Sequence, residues 1–202
     1  MVNASGDMIE VLRKAVAVGG AGSSDFDLNP DVVLPKNRKL RSAAVLVPIT
    51  TFNGRAEVIL TKRASLLKHH PGQIAFPGGK MDETDTNLAQ TAFREAWEEI
   101  AFPSSHASIL GELAQHETIT GFNVTPILAH VEKPFDVVPE RGEVAEVFSV
   151  PLEHVLNLDR FQIQYRYWQG VKRKYYAVPY GPYYIWGATA RMLRALADRV
   201  AK

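Results

Sequence analysis

REAWEEI, residues 94–100, places Glu95, Glu98 and Glu99 in a segment of helical periodicity. Leu88, Ala92, Phe93, Ala96 and Ile100 fall on one stripe, which predicts a helix from about Asn87 to Ile100. On that helix Glu95 lies three residues from Glu98 and four from Glu99, so the three carboxylates share one patch, with Glu98 and Glu99 expected on the solvent side. Like charges at this spacing repel by roughly 0.2–0.5 kcal/mol per pair. A hard divalent cation is the natural counter-charge, because Mg²⁺ and its relatives take carboxylate oxygens together with water and phosphate oxygens. The ordinary alternative is a solvated acidic face. Just upstream, GQIAFPGGKMDETD carries Pro77-Gly78-Gly79, a tight turn whose glycines let backbone groups approach a ligand closely.

The rest of the chain sets the bounds. Its 202 residues are 46% hydrophobic and 22% charged, enough for one globular domain with a small appended segment. A formal net charge of +1 gives no bulk field for duplex DNA. With no cysteine, disulfides and thiolate ligands are excluded, and any metal must be held by oxygen or imidazole. The N-terminus lacks the basic start and apolar run of a signal peptide, and no apolar run reaches the roughly 18 residues of a membrane span. The expectation is a soluble, cytoplasmic protein.

Along the chain, Asp7 and Glu10 form a candidate capping pair for a short helix through Met8, Ile9, Leu12, Ala15 and Val16. GGAGSSDFDLNP, residues 19–30, reads as a flexible connector, so residues 1–35 are expected to be a helix plus linker and 36–202 the main domain. RSAAVLVPIT and RAEVILTKR flank Asn53-Gly54 and read as a hairpin. GFNVTPILAHVE and EVAEVFSVPL read as strands, and Pro151 is placed at N1 of a short helix. FQIQYRYW and KRKYYAVPY form a second hairpin around Gln169-Gly170, and IWGATARMLRALADRVAK closes the chain as a helix. Strands and helices mix without a regular βαβ alternation, which favours an α+β class or an α/β/α sandwich.

Matched in order, GGKMDETDTNLAQTAFREAWEEIAF resembles the Nudix box: Gly79 is its glycine, Arg94-Glu95 its Arg-Glu pair and Glu98-Glu99 its paired glutamates. Asp85 stands in place of the first Glu, eight rather than seven residues precede Arg94, and Ala101 replaces the second Gly. None of these changes removes a metal carboxylate. A glycine at the end of that helix would take a left-handed cap, so Ala101 either costs about 1 kcal/mol or marks a different exit. ILTKRASLLKHHPGQIAFPGG, residues 59–79, is similar to the signature of the coenzyme A pyrophosphatase branch, matching at Thr61, Arg63, Ala64, Gly72, Phe76, Pro77, Gly78 and Gly79.

The resemblance implies the Nudix fold, an α/β/α sandwich around a mixed β-sheet. It also implies hydrolysis of coenzyme A to 3′-phosphoadenosine 5′-phosphate and 4′-phosphopantetheine, with Mg²⁺ or Mn²⁺ held by Gly79, Glu95, Glu98 and Glu99. Arg94 would orient the carboxylates, with Asp85 its partner. Glu143 is the favoured general base, ahead of Glu146 and Glu140, against the alternative of a solvated loop. The catalytic set is then Glu98, Glu143 and Arg94, and Arg63, Lys68 and Gln73 are the candidates for binding the substrate. Other nucleoside diphosphate derivatives, such as ADP-ribose or a dinucleotide, and a noncatalytic nucleotide-binding module are the competing readings.

Three further motifs have plain explanations. Adjacent His69 and His70 project apart, which argues against a metal pair. VKRKYY mixes bases with aromatics but reads more simply as a wet hairpin face, and PYGPYYIWG as core and turn packing. The expected partner is therefore a small molecule, with no nucleic acid and no membrane, and the sequence leaves room for a homodimer.

Overall fold

The computed structural model describes residues 4–35, 37–52, 54–168 and 170–202. Its elements in chain order are α1 (Ala4–Ala17), β1 (Ser23–Ser24), β2 (Arg41–Thr50), β3 (Glu57–Arg63), β4 (Ile74–Ala75), β5 (Gly78–Lys80), α2 (Leu88–Ile100), β6 (Ala107–Glu112), β7 (His116–Glu117) and β8 (Phe122–Val131). They continue as β9 (Val144–Pro151), α3 (Leu152–Leu156), β10 (Gln162–Trp168), β11 (Val171–Ala177) and α4 (Gly187–Val200). Among the described residues no helix is long and apolar enough to cross a membrane.

The apolar run of β2 is the spine of a mixed sheet. It pairs in parallel with β8 from Arg41↔Phe122 to Ile49↔His130. On its other edge it is shared: Ala43–Val45 pair with β5, while Ile49 and Thr50 pair with β3. β3 then pairs with β9. The fork between β5 and β3 leaves residues 46–48 of β2 between its arms, where the Leu46 amide donates to the Pro77 carbonyl at 2.8 Å; Gly78 and Gly79, expected in a tight turn, instead begin strand β5.

Two apolar layers cover the sheet. On one face Ala92, Ala96 and Ile100 of α2 pack on Ala44, Leu46, Ile59 and Ile127. On the other, Leu12 of α1 and Leu193 and Leu196 of α4 pack with Val47, Val58 and Leu60. The result is the expected α/β/α sandwich.

Both expected hairpins form, β2 with β3 and β10 with β11, although Asn53 and Gln169 of their turns lie outside the described residues. The N-terminal expectations need correction. Asp7 sits inside the first turn of α1 rather than capping it, and Glu10 faces Arg13 and Lys14 instead. The stretch read as a flexible connector is folded onto the domain. Ser23 pairs with His116 across β1 and β7, Asp27 bridges Arg191 at 2.8 Å, and Asn29 exchanges two hydrogen bonds with the backbone of Lys174. Glycine and serine richness here serves close packing of chain on chain. Pro151 is the residue before α3 rather than its first turn.

Candidate active site

Asn87 starts α2, its side chain accepting from the Gln90 amide at 2.9 Å. The helix ends at Ala101, which adopts φ 56° and ψ 35°, the left-handed conformation that glycine would take more readily. The exit expected of a glycine is thus kept, with a methyl group in it.

Between these ends the three glutamates point from solvent to core. The Glu98 side chain is 56% exposed, Glu95 is half-buried, and Glu99 is only 5% exposed, so the expectation that Glu99 lies on the solvent side is wrong. The reason is the helical phase: Glu99 follows Ala92 and Ala96 around onto the sheet-facing stripe. Burial pushes the Glu99 carboxyl up to about 8, with the nearby Arg63 charge pulling it back. Its Oε2 is buried and has no hydrogen-bond partner among the described residues. Burial also raises Glu95, against the opposing pull of Arg94.

Arg94 organises the solvent side. Its Nε donates to Asp85 Oδ1 at 3.0 Å and Nη2 to Asp85 Oδ2 at 2.9 Å, while Nη1 donates to Glu95 at 2.9 Å and to Glu98 at 3.2 Å. A further bond reaches the Lys80 carbonyl at 3.1 Å. Asp85 is buried, accepts from Thr91 Oγ1 and the Asp82 amide, each at 2.9 Å, and is held well below the usual carboxylate range, chiefly by Arg94. Asp85 thus takes the partner role expected for it, and Thr91, fully buried, is a member of the network that the sequence reading missed. A threonine in a helix carries no distinctive pattern.

The two glycines of β5 are required by contact. A Cβ on Gly78 would lie 2.4 Å from the Ala44 carbonyl oxygen, and one on Gly79 would lie 2.4 Å from a Glu95 carboxylate oxygen. β5 can therefore press against β2 while Glu95 lies directly over the Gly79 backbone.

Around this centre, Arg63 ends β3 at an irregularity in its pairing with β9. Its Nε is buried with no hydrogen-bond partner among the described residues, and its charge acts on Glu99. Glu143 stands exposed just before β9, within electrostatic reach of Glu99. Its carbonyl accepts from the Ala64 amide at 2.8 Å. Glu146 lies inside β9 and is engaged by the Tyr183 hydroxyl, which leaves Glu143 the freer carboxylate. Lys68 stands exposed on the 64–73 loop. The Gln73 side chain reaches toward α4: its Nε2 lies 3.6 Å from the Cβ position of Gly187, at the start of that helix.

The donor set can be tested against a divalent cation. Among the described residues no three acidic or imidazole side chains are gathered into a finished cage, because Arg94 draws Glu95 and Glu98 toward itself. The Glu99 Oε2, without a hydrogen-bond partner among the described residues, and the Glu95 carboxylate over Gly79 fit a hard cation nonetheless, since both supply oxygen donors.

Comparisons with known proteins place the chain that carries this arrangement in a family. The NUDIX domain family matches residues 39–169. Relatives named Uncharacterized Nudix hydrolase NudL, from Yersinia pestis (strain Pestoides F) and Yersinia pseudotuberculosis serotype O:1b (strain IP 31758), are each 40% identical over 161 residues, covering 80% of this chain and 80% of their own. The crystal structure of a MutT protein from Methanosarcina mazei Go1 aligns with a TM-score of 0.53 at 21% identity, over 83% of this chain and 99% of that one, and so supports the fold. The chain belongs to the NUDIX family, as a Nudix hydrolase.

Proposed function

We propose that this Nudix hydrolase cleaves the diphosphate of coenzyme A or its derivatives, giving 3′-phosphoadenosine 5′-phosphate and 4′-phosphopantetheine. The observation that supports this reading is the meeting of two motifs. Arg63, from the stretch that resembles the coenzyme A pyrophosphatase signature, acts electrostatically on Glu99 of the Nudix box.

Glu95, Glu98, Glu99 and the Gly79 backbone would hold Mg²⁺ or Mn²⁺. Such an ion, when bound, neutralises diphosphate oxygens and lowers the pKa of a coordinated water. The protein residues do the rest. Arg94, fixed by Asp85, keeps Glu95 and Glu98 oriented. Arg63 lies beside Glu99 and offers its guanidinium to the diphosphate, with Lys68 adding positive charge at the loop. Glu143 accepts the proton of the attacking water as its oxygen bonds to phosphorus and the bond to the bridging oxygen breaks. The cysteine-free composition supports a cytoplasmic setting as part of the same proposal.

The test is product identification. Purified protein is incubated with coenzyme A, ADP-ribose and a dinucleotide panel in the presence of Mg²⁺ or Mn²⁺, and products are identified by mass. Preferential release of the two named products from coenzyme A supports the proposal. Preferential cleavage of ADP-ribose or a dinucleotide replaces it, and binding without cleavage of any of them points to a noncatalytic module.

A further inference from the structure

Among the described residues β10 and β11 form a two-stranded sheet of their own, with one further bridge from Ala177 to Trp186, and its register sets Arg166 directly opposite Arg173. Like charges placed opposite one another weaken a strand pair. The question is the one posed by the glutamates of α2, with the sign reversed. Arg173 sharpens it, because its Nε is buried and has no hydrogen-bond partner among the described residues. A buried donor of this kind costs free energy until something accepts from it.

The surroundings point to what that acceptor is. The Arg166 guanidinium lies 4.5 Å from the centroid of the Trp186 ring, and that ring lies 5.0 Å from Tyr175 of the same ribbon. Trp186 immediately precedes Gly187, beside which the Gln73 amide rests, and the Gln73 carbonyl accepts from the Arg63 amide at 3.0 Å. A chain of neighbouring residues therefore runs from Glu99 of α2, through Arg63 and Gln73, to Gly187, Trp186 and Arg166. The electrostatics agree: burial depresses the His70 imidazole, and the charges of Arg63, His69 and Arg166 depress it further. Lys172 and Lys174, in contrast, occupy the other face of the ribbon, where Lys172 lies 3.9 Å over Tyr165.

We propose that Arg166, Arg173 and the Trp186 ring form a second subsite that takes a phosphomonoester on the nucleoside arm of the substrate, remote from the bond that is cut. This rests on the reading of the chain as a hydrolase of nucleoside diphosphate derivatives. Two guanidinium groups can each donate to a phosphate dianion, the contact geometry at which arginine excels. The indole face holds one guanidinium in place and offers a surface for the base. An anion between the two arginines also removes the repulsion that their register creates.

The test uses the full chain as wild type, Arg173→Gln and Arg166→Gln. Binding of 3′-phosphoadenosine 5′-phosphate and of AMP is measured without divalent cation, and hydrolysis of coenzyme A and 3′-dephospho-coenzyme A is measured with Mg²⁺. Wild type is expected to prefer the bisphosphate by at least about tenfold, the scale of one charge-assisted hydrogen bond. In each variant that preference falls to within about twofold, and the coenzyme A to dephospho-coenzyme A ratio of kcat/KM falls about tenfold. Because either change relieves the opposed charges, both variants are expected to melt no lower than wild type. Should Arg173→Gln fail to fold, Arg166→Gln carries the test, since Arg166 is exposed. The proposal is overturned if wild type does not distinguish the two nucleotides, or if the folded variants keep the preference. If wild type cuts neither coenzyme yet the variants lose the bisphosphate preference, the subsite stands and the coenzyme A reading fails.

Discussion

Arg94 grips Asp85 with two parallel hydrogen bonds, Nε to Oδ1 at 3.0 Å and Nη2 to Oδ2 at 2.9 Å, across a pair whose acid side chain is 1% exposed. Removing the acid strips a largely buried guanidinium of its two-pronged partner and takes an acceptor from Thr91, so Asp85→Ala is expected to cost about 3 kcal/mol of unfolding free energy, read by denaturant titration. The pair also carries a pH signature. Arg94 holds the Asp85 carboxyl below its unfolded value, so its stabilisation is present above about pH 4 and is lost as the pH falls toward the depressed native value. Acid unfolding of Asp85→Asn should lack that component; an acid limb identical to wild type would remove Asp85 from this role.

Glu99 gives the opposite sign. Its native carboxyl is raised to about 8 by burial, so without a cation its stabilising contribution is full below about pH 4.5 and declines as the pH rises through 8. Cation-free wild type is expected to lose stability across that window, and Glu99→Gln to lose much less. A saturating divalent cation, which favours the carboxylate, should flatten the slope and release a proton on binding at pH 7. Calorimetry in buffers of different ionisation enthalpy reads that proton directly, and a binding heat independent of buffer would contradict the assignment.

Ala101 holds a left-handed cap at φ 56° with a side chain that disfavours it. Ala101→Gly is expected to raise stability by about 1 kcal/mol, or roughly 2–4 °C in Tm, with no change in fold. A lower Tm would show that the methyl group contributes packing that outweighs the backbone cost.

Glu143 and Glu95 should fail differently. A base acts through its proton affinity and a ligand through its hold on the ion, so Glu143→Gln is expected to depress turnover while the Mg²⁺ concentration for half-maximal rate stays near wild type. Glu95→Gln should raise that concentration. A shift in Glu143→Gln as large as in Glu95→Gln would make Glu143 a ligand, and unchanged turnover would move the base elsewhere, with Glu140 next because Glu146 is engaged by Tyr183.

What could be read from the sequence follows the periodicities. The stripe Leu88 to Ile100 gave α2, the two-residue turns gave both hairpins, and Gly79, Arg94 and Asp85 stand together because local spacing along one loop and helix brings them there. What could not be read depends on distant parts of the chain. The burial of Glu99 is set by the sheet beneath α2, the folding of residues 19–30 by contacts with β7, β11 and α4, and the opposition of Arg166 to Arg173 by a register that composition does not encode. The displacement of Gln73 toward α4 belongs to the same class, since it depends on where Gly187 lies.

The most direct measurement is coenzyme A hydrolysis at saturating Mg²⁺ by wild type and Glu98→Gln, with and without a chelator. Glu98 is exposed and its contact with Arg94 is a surface pair worth about 0.5 kcal/mol, so the variant is expected to fold as wild type does. Its turnover should fall by at least about two orders of magnitude, the scale of losing a principal electrostatic stabiliser, and wild type should be silenced by the chelator. Turnover near wild type in folded Glu98→Gln, or hydrolysis that persists without a divalent cation, would contradict the account.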